Sequence, residues 1–261
     1  MSVKTVDKAM HLLRQFSLEH LELGLSELAR ATGEDKAVTR RLLVSLMTHG
    51  FIEQDPETKK YHLGHGFLAL ARLREATVPM VRATQIVCQW LCAKTNETVH
   101  VGIANQTGMS TVAYKLPPRG NVINLRPAES YPFHSSASGL AFLTFCTPET
   151  RARLFTLKRE KLTRFTLTDQ QDLERFIAEA RAMGHACTRN TVEDGVASVA
   201  MPFFRDGRDP AGTISIAVPD LNLTEARKEA LLTHLTVAVE KLEIALTGRA
   251  ASEEVTIPEI G

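Results

Sequence analysis

No run of about 18 uninterrupted apolar residues occurs anywhere in the 261-residue chain, so no membrane-spanning helix is expected. An excess of one charge is missing too. Lys and Arg number 31 against 30 Asp and Glu, a net charge of +1. This balance neither favours nor excludes nucleic acid, because a DNA reader can hold its positive charge in one place. Cysteine is sparse: positions 88, 92, 146 and 187 form no Cys-x-x-Cys pair and have no histidine at zinc-finger spacing. Cys88 and Cys92, one helical turn apart, read as reduced core or surface thiols of a cytoplasmic protein. The opening Met-Ser-Val-Lys-Thr-Val-Asp-Lys lacks the apolar stretch of a secretory signal. A Gly-x-Ser-x-Gly elbow, a Walker loop and a His-Glu-x-x-His helix are absent as well. His100 and His134 have Ser or Cys neighbours, but nine histidines scattered over the chain show no catalytic spacing. No catalytic residue, metal or cofactor is expected.

What remains is an ordinary globular composition in a chain long enough for two domains. From Val3 to Leu18, a helical pattern places Val6, Ala9, Met10, Leu13 and Phe16 on one face. Next, Leu25-Ser26-Glu27-Leu28-Ala29-Arg30-Ala31-Thr32-Gly33 reads as a short helix capped by Ser26 or its predecessor and ended by Gly33. A third helix, Asp35 to Met47, carries Val38, Leu42, Leu43, Leu46 and Met47 toward a core. Its N-terminal end holds Lys36, Ala37, Thr39, Arg40 and Arg41. Two short helices joined by a glycine turn match a helix-turn-helix, whose second helix sends its first residues into the major groove. Phe51–Gln54 and Lys60–Leu63 then flank the turn signal Asp55-Pro56-Glu57-Thr58, a hairpin in the position of a wing. Lys59 and Lys60 on that wing are placed for phosphates. Taken alone, Arg40 and Arg41 could be a solvated helix face. The order helix, glycine turn, basic-tipped helix, hairpin favours DNA contact.

Segments in order along the chain resemble the IclR family of bacterial regulators. They include Leu-Ser-Glu-Leu-Ala-Arg-Ala-Thr-Gly (25–33), Lys36 with Arg41-Leu42-Leu43, Gly50-Phe51, Tyr61-His62-Leu63-Gly64 and Asn96-Glu97-Thr98-Val99-His100. Further on are Pro132-Phe133-His134-Ser135-Ser136-Ala137-Ser138-Gly139, Phe165-Thr166, Arg181–Ala186, and Gly195-Val196 leading to Ala200-Met201-Pro202. The likeness spans about residues 4 to 247. It departs at Leu140, where the family usually has Lys, at Asn190 and Thr191, where it usually has an acidic pair, and at Ala37-Val38-Thr39 in place of a more usual Ser-Thr-Val. The resemblance implies a winged helix-turn-helix followed by a GAF-like effector-binding domain. It further implies that the joining helix contributes to a dimer, or a dimer of dimers.

The expected architecture is therefore α+β in two domains. Residues 1–64 form the winged helix-turn-helix, 65–78 a linker helix, 79–248 a sensor domain around a central antiparallel sheet, and 249–261 a disordered tail. The linker helix is too short to be stable alone and should pack against something. In the sensor domain, Ser135, Ser136, Ala137 and Ser138 open a helix, where free N–H groups and hydroxyls suit an anion. Ser215, with Thr213 and Ala217, alternates to one face of a strand, and Ser198 lies on the side of Val196 and Ala200 in its neighbour. Small polar residues on one face leave room for a ligand. Asn190 joins the candidates through its place before the Gly-Val step. Helix capping and tight packing would account for the same residues without a ligand.

These readings converge on a regulator that binds double-stranded operator DNA and senses a small organic acid, with an aromatic acid among the candidates. The effector would act on the DNA heads through the 65–78 helix. Alternatively, the sensor domain no longer binds a ligand. Leu140, in place of Lys, is expected to make the mouth of the pocket less cationic.

Overall fold

A computed structural model describes residues 3–17, 19–77, 79–119, 122–123, 130–205 and 207–247. The tail expected from 249 and the last linker residue, Val78, lie outside the described residues. Two compact units divide the chain, Met1–Thr77 and Val78–Gly261.

The first unit begins with α1 (Lys4–Leu13), α2 (Leu25–Thr32) and α3 (Lys36–Thr48). Capping sets their limits. The Glu27 carboxylate accepts the Gly24 N–H at 2.7 Å, so the start of α2 is held from its third residue and not by Ser26. Gly33, at φ 72°, supplies the left-handed end that a side chain resists. Asp35 follows at once and accepts the Val38 N–H at 2.8 Å, opening α3. Leu12, Leu28, Leu42, Leu43, Ile52 and Tyr61 form the core of this unit.

On α1 the packing face differs from the expected one. Leu12 is fully buried with Ala9, Leu13 and Phe16 against the same cluster, whereas Val6 and Met10 are 57% and 50% exposed. The apolar arc spans about half the circumference, and the helix is turned to bury its Leu12 edge at the expense of the Val6 and Met10 edge. Met47 at the far end of α3 is likewise exposed.

The wing is β1 (Ile52–Gln54) paired antiparallel with β2 (Tyr61–Leu63). Leu23 adds a third, single-residue rung by exchanging both backbone hydrogen bonds with Tyr61. After β2, the Gly66 N–H donates to the Gly50 carbonyl, and α4 (Gly66–Thr77) starts there with Phe67 edge-on to Phe51 at 5.0 Å. The expected linker helix thus packs on the winged unit.

The second unit is a six-stranded antiparallel sheet between two layers of helices. Its order is β5-β4-β3-β8-β7-β6, from β3 (Thr98–Ala104), β4 (Gly108–Lys115), β5 (Ser130–Pro132), β6 (Ala186–Arg189), β7 (Val196–Phe203) and β8 (Gly212–Pro219). The edge strand β5 was not expected. Three residues ending in proline carry no legible alternation, and proline is tolerated there because an edge strand has unpaired positions. On one face, α5 (Pro79–Thr95) and α9 (Glu225–Thr247) cover Val99, Val101, Val199, Ile214, Ile216 and Val218. On the other lie α6 (Ala137–Phe145) and α8 (Gln170–Met183), with α7 (Pro148–Phe155) between them in sequence. The strand period of two sorts β8 cleanly. Ile214, Ile216 and Val218 go into the α5–α9 core, while Ser215 and Ala217 look toward α6.

The start of α6 is seated very closely on the backbone before it. A Cβ on Gly139 would lie 2.5 Å from the Phe133 Cα, 2.6 Å from its carbonyl oxygen and 2.7 Å from that of Pro132. Backbone cannot give way as a flexible side chain can. Gly139→Ala should therefore destabilise the second unit by about 1–3 kcal/mol, the usual cost of overpacking. Urea titration followed by circular dichroism checks this, and an unchanged midpoint would show that α6 shifts without cost.

Candidate DNA-binding surface and ligand cavity

Lys36, Ala37, Arg40 and Arg41 are exposed on the first half of α3. Among the described residues none of the three cations is in an ion pair, so their charges are free for a partner. The helix N-terminus adds its own partial positive charge at the same end. Thr39 does not belong to this surface. It is fully buried and its hydroxyl donates to the Asp35 carbonyl at 2.9 Å. The position faces the core because it lies one turn before Leu43, which is also buried.

On the wing, the Asp55 carboxylate accepts the Thr58 and Glu57 N–H groups, and these bonds hold its pKa below the ordinary carboxylate value. The turn brings Lys59 to φ 58°, and its ammonium donates to the Pro56 carbonyl at 2.7 Å. Lys60 is exposed, with its side chain unengaged.

In the second unit a cavity of about 470 Å³ opens between the sheet and the start of α6. That volume suits a small metabolite. Of the residues proposed from the sequence, Ser136, Ala137, Ser138, Ser198 and Ser215 line it. Strand register explains the convergence. His100 pairs with Ser215 across β3 and β8, and Ser198 pairs with Ala217 across β7 and β8, so small residues lie side by side on one face. Ser136 caps α6, accepting the Gly139 N–H at 3.0 Å. Ala137 and Ser138 form the first turn, where backbone N–H groups have no acceptor within the helix.

Two candidates are placed elsewhere. Ser135 is fully buried in the turn before α6 and does not reach the cavity wall. Asn190 sits at φ 60° and braces a loop: its amide donates to Asp220 at 3.1 Å and its carbonyl accepts the Gly195 N–H at 2.6 Å. Leu140 is not at the mouth. It is fully buried among Leu173, Ala186 and Ala200, away from the cavity lining.

Several walls were not foreseen. Tyr131 and Pro132 come from the unexpected β5, and Leu162, Thr191, Val192 and Glu193 from loops. The Thr163 hydroxyl donates to the Asn190 carbonyl at 2.5 Å and that of Thr166 to the Thr191 carbonyl at 2.8 Å, holding one loop against the other. His100, set aside as a catalytic group, lies at the floor. Its ring Nδ1 is 3.4 Å from the Ser138 hydroxyl and 3.5 Å from that of Ser215, and Nε2 is 3.1 Å from the Thr111 hydroxyl. Burial pushes its pKa down to about 4, so the ring is neutral at physiological pH. The alternation of Thr98–Ile103 was the available signal for its orientation. Among the described residues the lining contains no Lys or Arg, and Glu193 is its one charged side chain.

The family description "IclR helix-turn-helix domain" matches residues 5–56, and "Bacterial transcriptional regulator IclR C-terminal" matches residues 76–244. The chain belongs to the IclR family. Its members are DNA-binding transcriptional regulators and not enzymes, and this regulator has no helix long and apolar enough to cross a membrane among its described residues. The glycerol operon regulatory protein of Streptomyces griseus is 28% identical over 221 residues, covering 84% of this chain and 85% of that one. The crystal structure of an IclR-type regulator from a Silicibacter species superposes with a TM-score of 0.85 at 32% identity, over 95% of this chain and 98% of the other. An IclR homologue from Microbacterium hydrocarbonoxydans, crystallised with 4-hydroxybenzoate, shares the fold at a TM-score of 0.75 and 20% identity, over 93% and 98% of the two chains.

For this IclR-family regulator, Arg40→Ala should weaken specific DNA binding by roughly 1–3 kcal/mol, the worth of a good base contact. Lys60→Ala should weaken binding to all sequences alike and reduce the salt slope by about one unit. Fluorescence anisotropy with operator and scrambled duplexes at several salt concentrations separates the two outcomes. Unchanged affinity in both variants would remove α3 and the wing from the DNA surface.

Proposed function

We propose that this regulator senses a small monocarboxylate with an apolar, ring-sized body, bound in the cavity between α6 and the sheet. The observation that carries this reading is the lining itself. The first turn of α6 offers unpaired N–H groups beside the Ser136 and Ser138 side chains, while Ile123, Leu162, Val192, Val196 and Ala217 supply an apolar wall. The described lining also carries the Glu193 carboxylate, which repels a second negative charge, so a ligand with a single carboxylate fits it better than a polyanion. The fold relative crystallised with 4-hydroxybenzoate is in keeping with a ligand of this size and chemistry.

A thermal-shift screen of small organic acids, followed by titration calorimetry, tests the reading. Ser138→Asp sets a fixed carboxylate at the proposed anion position, where like charges repel strongly because water is largely excluded. The variant should lose at least tenfold in affinity for a carboxylate such as benzoate. Equal binding by wild type and variant would put the anion site elsewhere.

The DNA heads are proposed to act in pairs. Val3 before α1, Val6 and Met10 on it, and Leu68 and Leu70 on α4 are each at least 50% exposed. Exposed apolar side chains on these helices offer contacts to a second copy of the chain, which fits a palindromic operator. Sedimentation at micromolar concentration should give a dimer or a dimer of dimers, and Met10→Glu with Leu68→Glu should dissociate it. A wild-type monomer that still binds operator tightly would contradict pairing. Effector control then requires the effector to bind the DNA-competent and DNA-incompetent states with different affinity.

A further inference from the structure

The heavy atoms on the cavity floor leave the direction of one hydrogen-bond chain open. The Ser138 hydroxyl donates to that of Ser215 at 3.2 Å, and Ser215 reaches the His100 carbonyl at 3.4 Å and the ring Nδ1 at 3.5 Å. Beyond the ring, Nε2 lies 3.1 Å from the Thr111 hydroxyl. Ser138, Ser215 and His100 are all at least 94% buried and all line the cavity. A neutral imidazole has one donor and one acceptor nitrogen. Each hydroxyl has a single proton but can accept on either lone pair. With Ser215 bonded to the ring rather than to the His100 carbonyl, the chain has two self-consistent states.

In the first, Nε2–H donates to Thr111, and Nδ1 is a bare acceptor. Both serine protons then point inward, Ser138 to Ser215 and Ser215 to His100. The Ser138 oxygen offers only lone pairs to the cavity. In the second, the Thr111 hydroxyl donates to Nε2, and Nδ1–H donates to a serine oxygen. Where Ser215 turns its own proton to the Ser138 oxygen, the Ser138 proton is released toward the cavity. Passing from the first to the second, the ring gives up a proton at Nε2 and takes one at Nδ1 by exchange with water. Its net charge does not change.

A carboxylate only accepts hydrogen bonds, so the first state presents it with lone pair against lone pair. We propose that His100 is a positioning residue whose tautomer sets whether the cavity floor donates or accepts, and that a bound carboxylate selects the Nδ1–H form. In the ligand-free protein the Ser215 proton has the His100 carbonyl within reach in either tautomer, and the Nε2–H form adds a second acceptor at Nδ1. A neutral ligand with a hydroxyl donor binds that form without any change. The depressed basicity of the buried ring keeps a charged imidazolium from competing with either tautomer. His100 thus adjusts the polarity of a neutral site, and does so without touching the ligand's carboxylate itself.

This inference rests on the carboxylate reading of the cavity, and the experiment separates the two. The full chain, labelled with 15N-histidine, is observed by long-range proton–nitrogen NMR alone, with millimolar benzoate, and with millimolar benzyl alcohol. Nδ1 of His100 should be unprotonated alone and with benzyl alcohol, and protonated with benzoate. His100→Phe keeps a ring of similar size beside Tyr131, whose ring centroid is 5.5 Å from that of His100. It should raise benzoate affinity relative to benzyl alcohol, because no tautomer change then opposes the carboxylate, a selectivity change that general loosening of the pocket would not produce. The NMR result stands on wild type, so it decides the matter even where the variant fails to fold. Benzoate binding with an unchanged tautomer overturns the role of His100 and leaves the carboxylate reading intact. An equal loss for both probes in the variant overturns it as well. Failure of wild type to bind benzoate overturns the carboxylate reading, and this inference with it.

Discussion

The contact between the first turn of α6 and the Pro132–Phe133 backbone is the constraint on which the second unit's geometry depends. It is closer than any side chain at Gly139 would permit. With the helix start pinned there, the distance to the sheet is set by whatever stands on β7 and β8. Those strands present Ser198, Ser215 and Ala217 at this point, and side chains so short cannot span the interval. A space remains. Farther along the helix, Leu140 and Ala141 meet Leu173, Ala186 and Ala200, and the same two layers close into solid core. One helix over one sheet thus gives a cavity at one end and a dry seal at the other, purely through side-chain size.

Most of the architecture was legible because it is written in periodicities. Leu28 and Leu43 mark their helices by spacing, and Gly33 marks the turn by the backbone angle that only glycine adopts cheaply. Alternation along β8 sorted Ser215 from Ile214 and Ile216 without any knowledge of its neighbours. The failures share a cause. Thr39, Ser135 and Leu140 were assigned from a motif's position in the chain, and motif position does not state which way a side chain rotates about its own helix or turn. Val6 and Met10 went wrong for the complementary reason. A helix whose apolar arc is this wide has no single face that its own sequence can choose, and packing partners decide.

Asn190 and His100 illustrate the part of a site that no local pattern can carry. Asn190 acts through Asp220, 30 residues away, and the neighbours of His100 lie 38 and 115 residues along the chain. Strand register bridges the longest of these separations, His100 to Ser215, while the others join a helix or a loop to its neighbour only in the finished fold. Of the two residues that bond this segment from the 160s loop, Thr166 was visible in the sequence within Phe165-Thr166 and Thr163 was not, and their job of bracing a cavity rim became apparent only once both loops were in place.

The contrast between the two surfaces has a consequence for how the molecule responds to its surroundings. Free cations crowd the tip of α3, and interactions of that kind fade as dissolved ions screen them. The floor of the cavity is built from hydroxyls, amides and an uncharged ring, buried where mobile ions hardly enter. Osmotic stress on a cell would therefore reset how firmly the protein grips its chromosome while leaving the proposed effector's affinity almost untouched. Occupancy of the operator would then report two inputs, the ionic state of the medium and the abundance of the proposed effector, each entering through a different part of the chain.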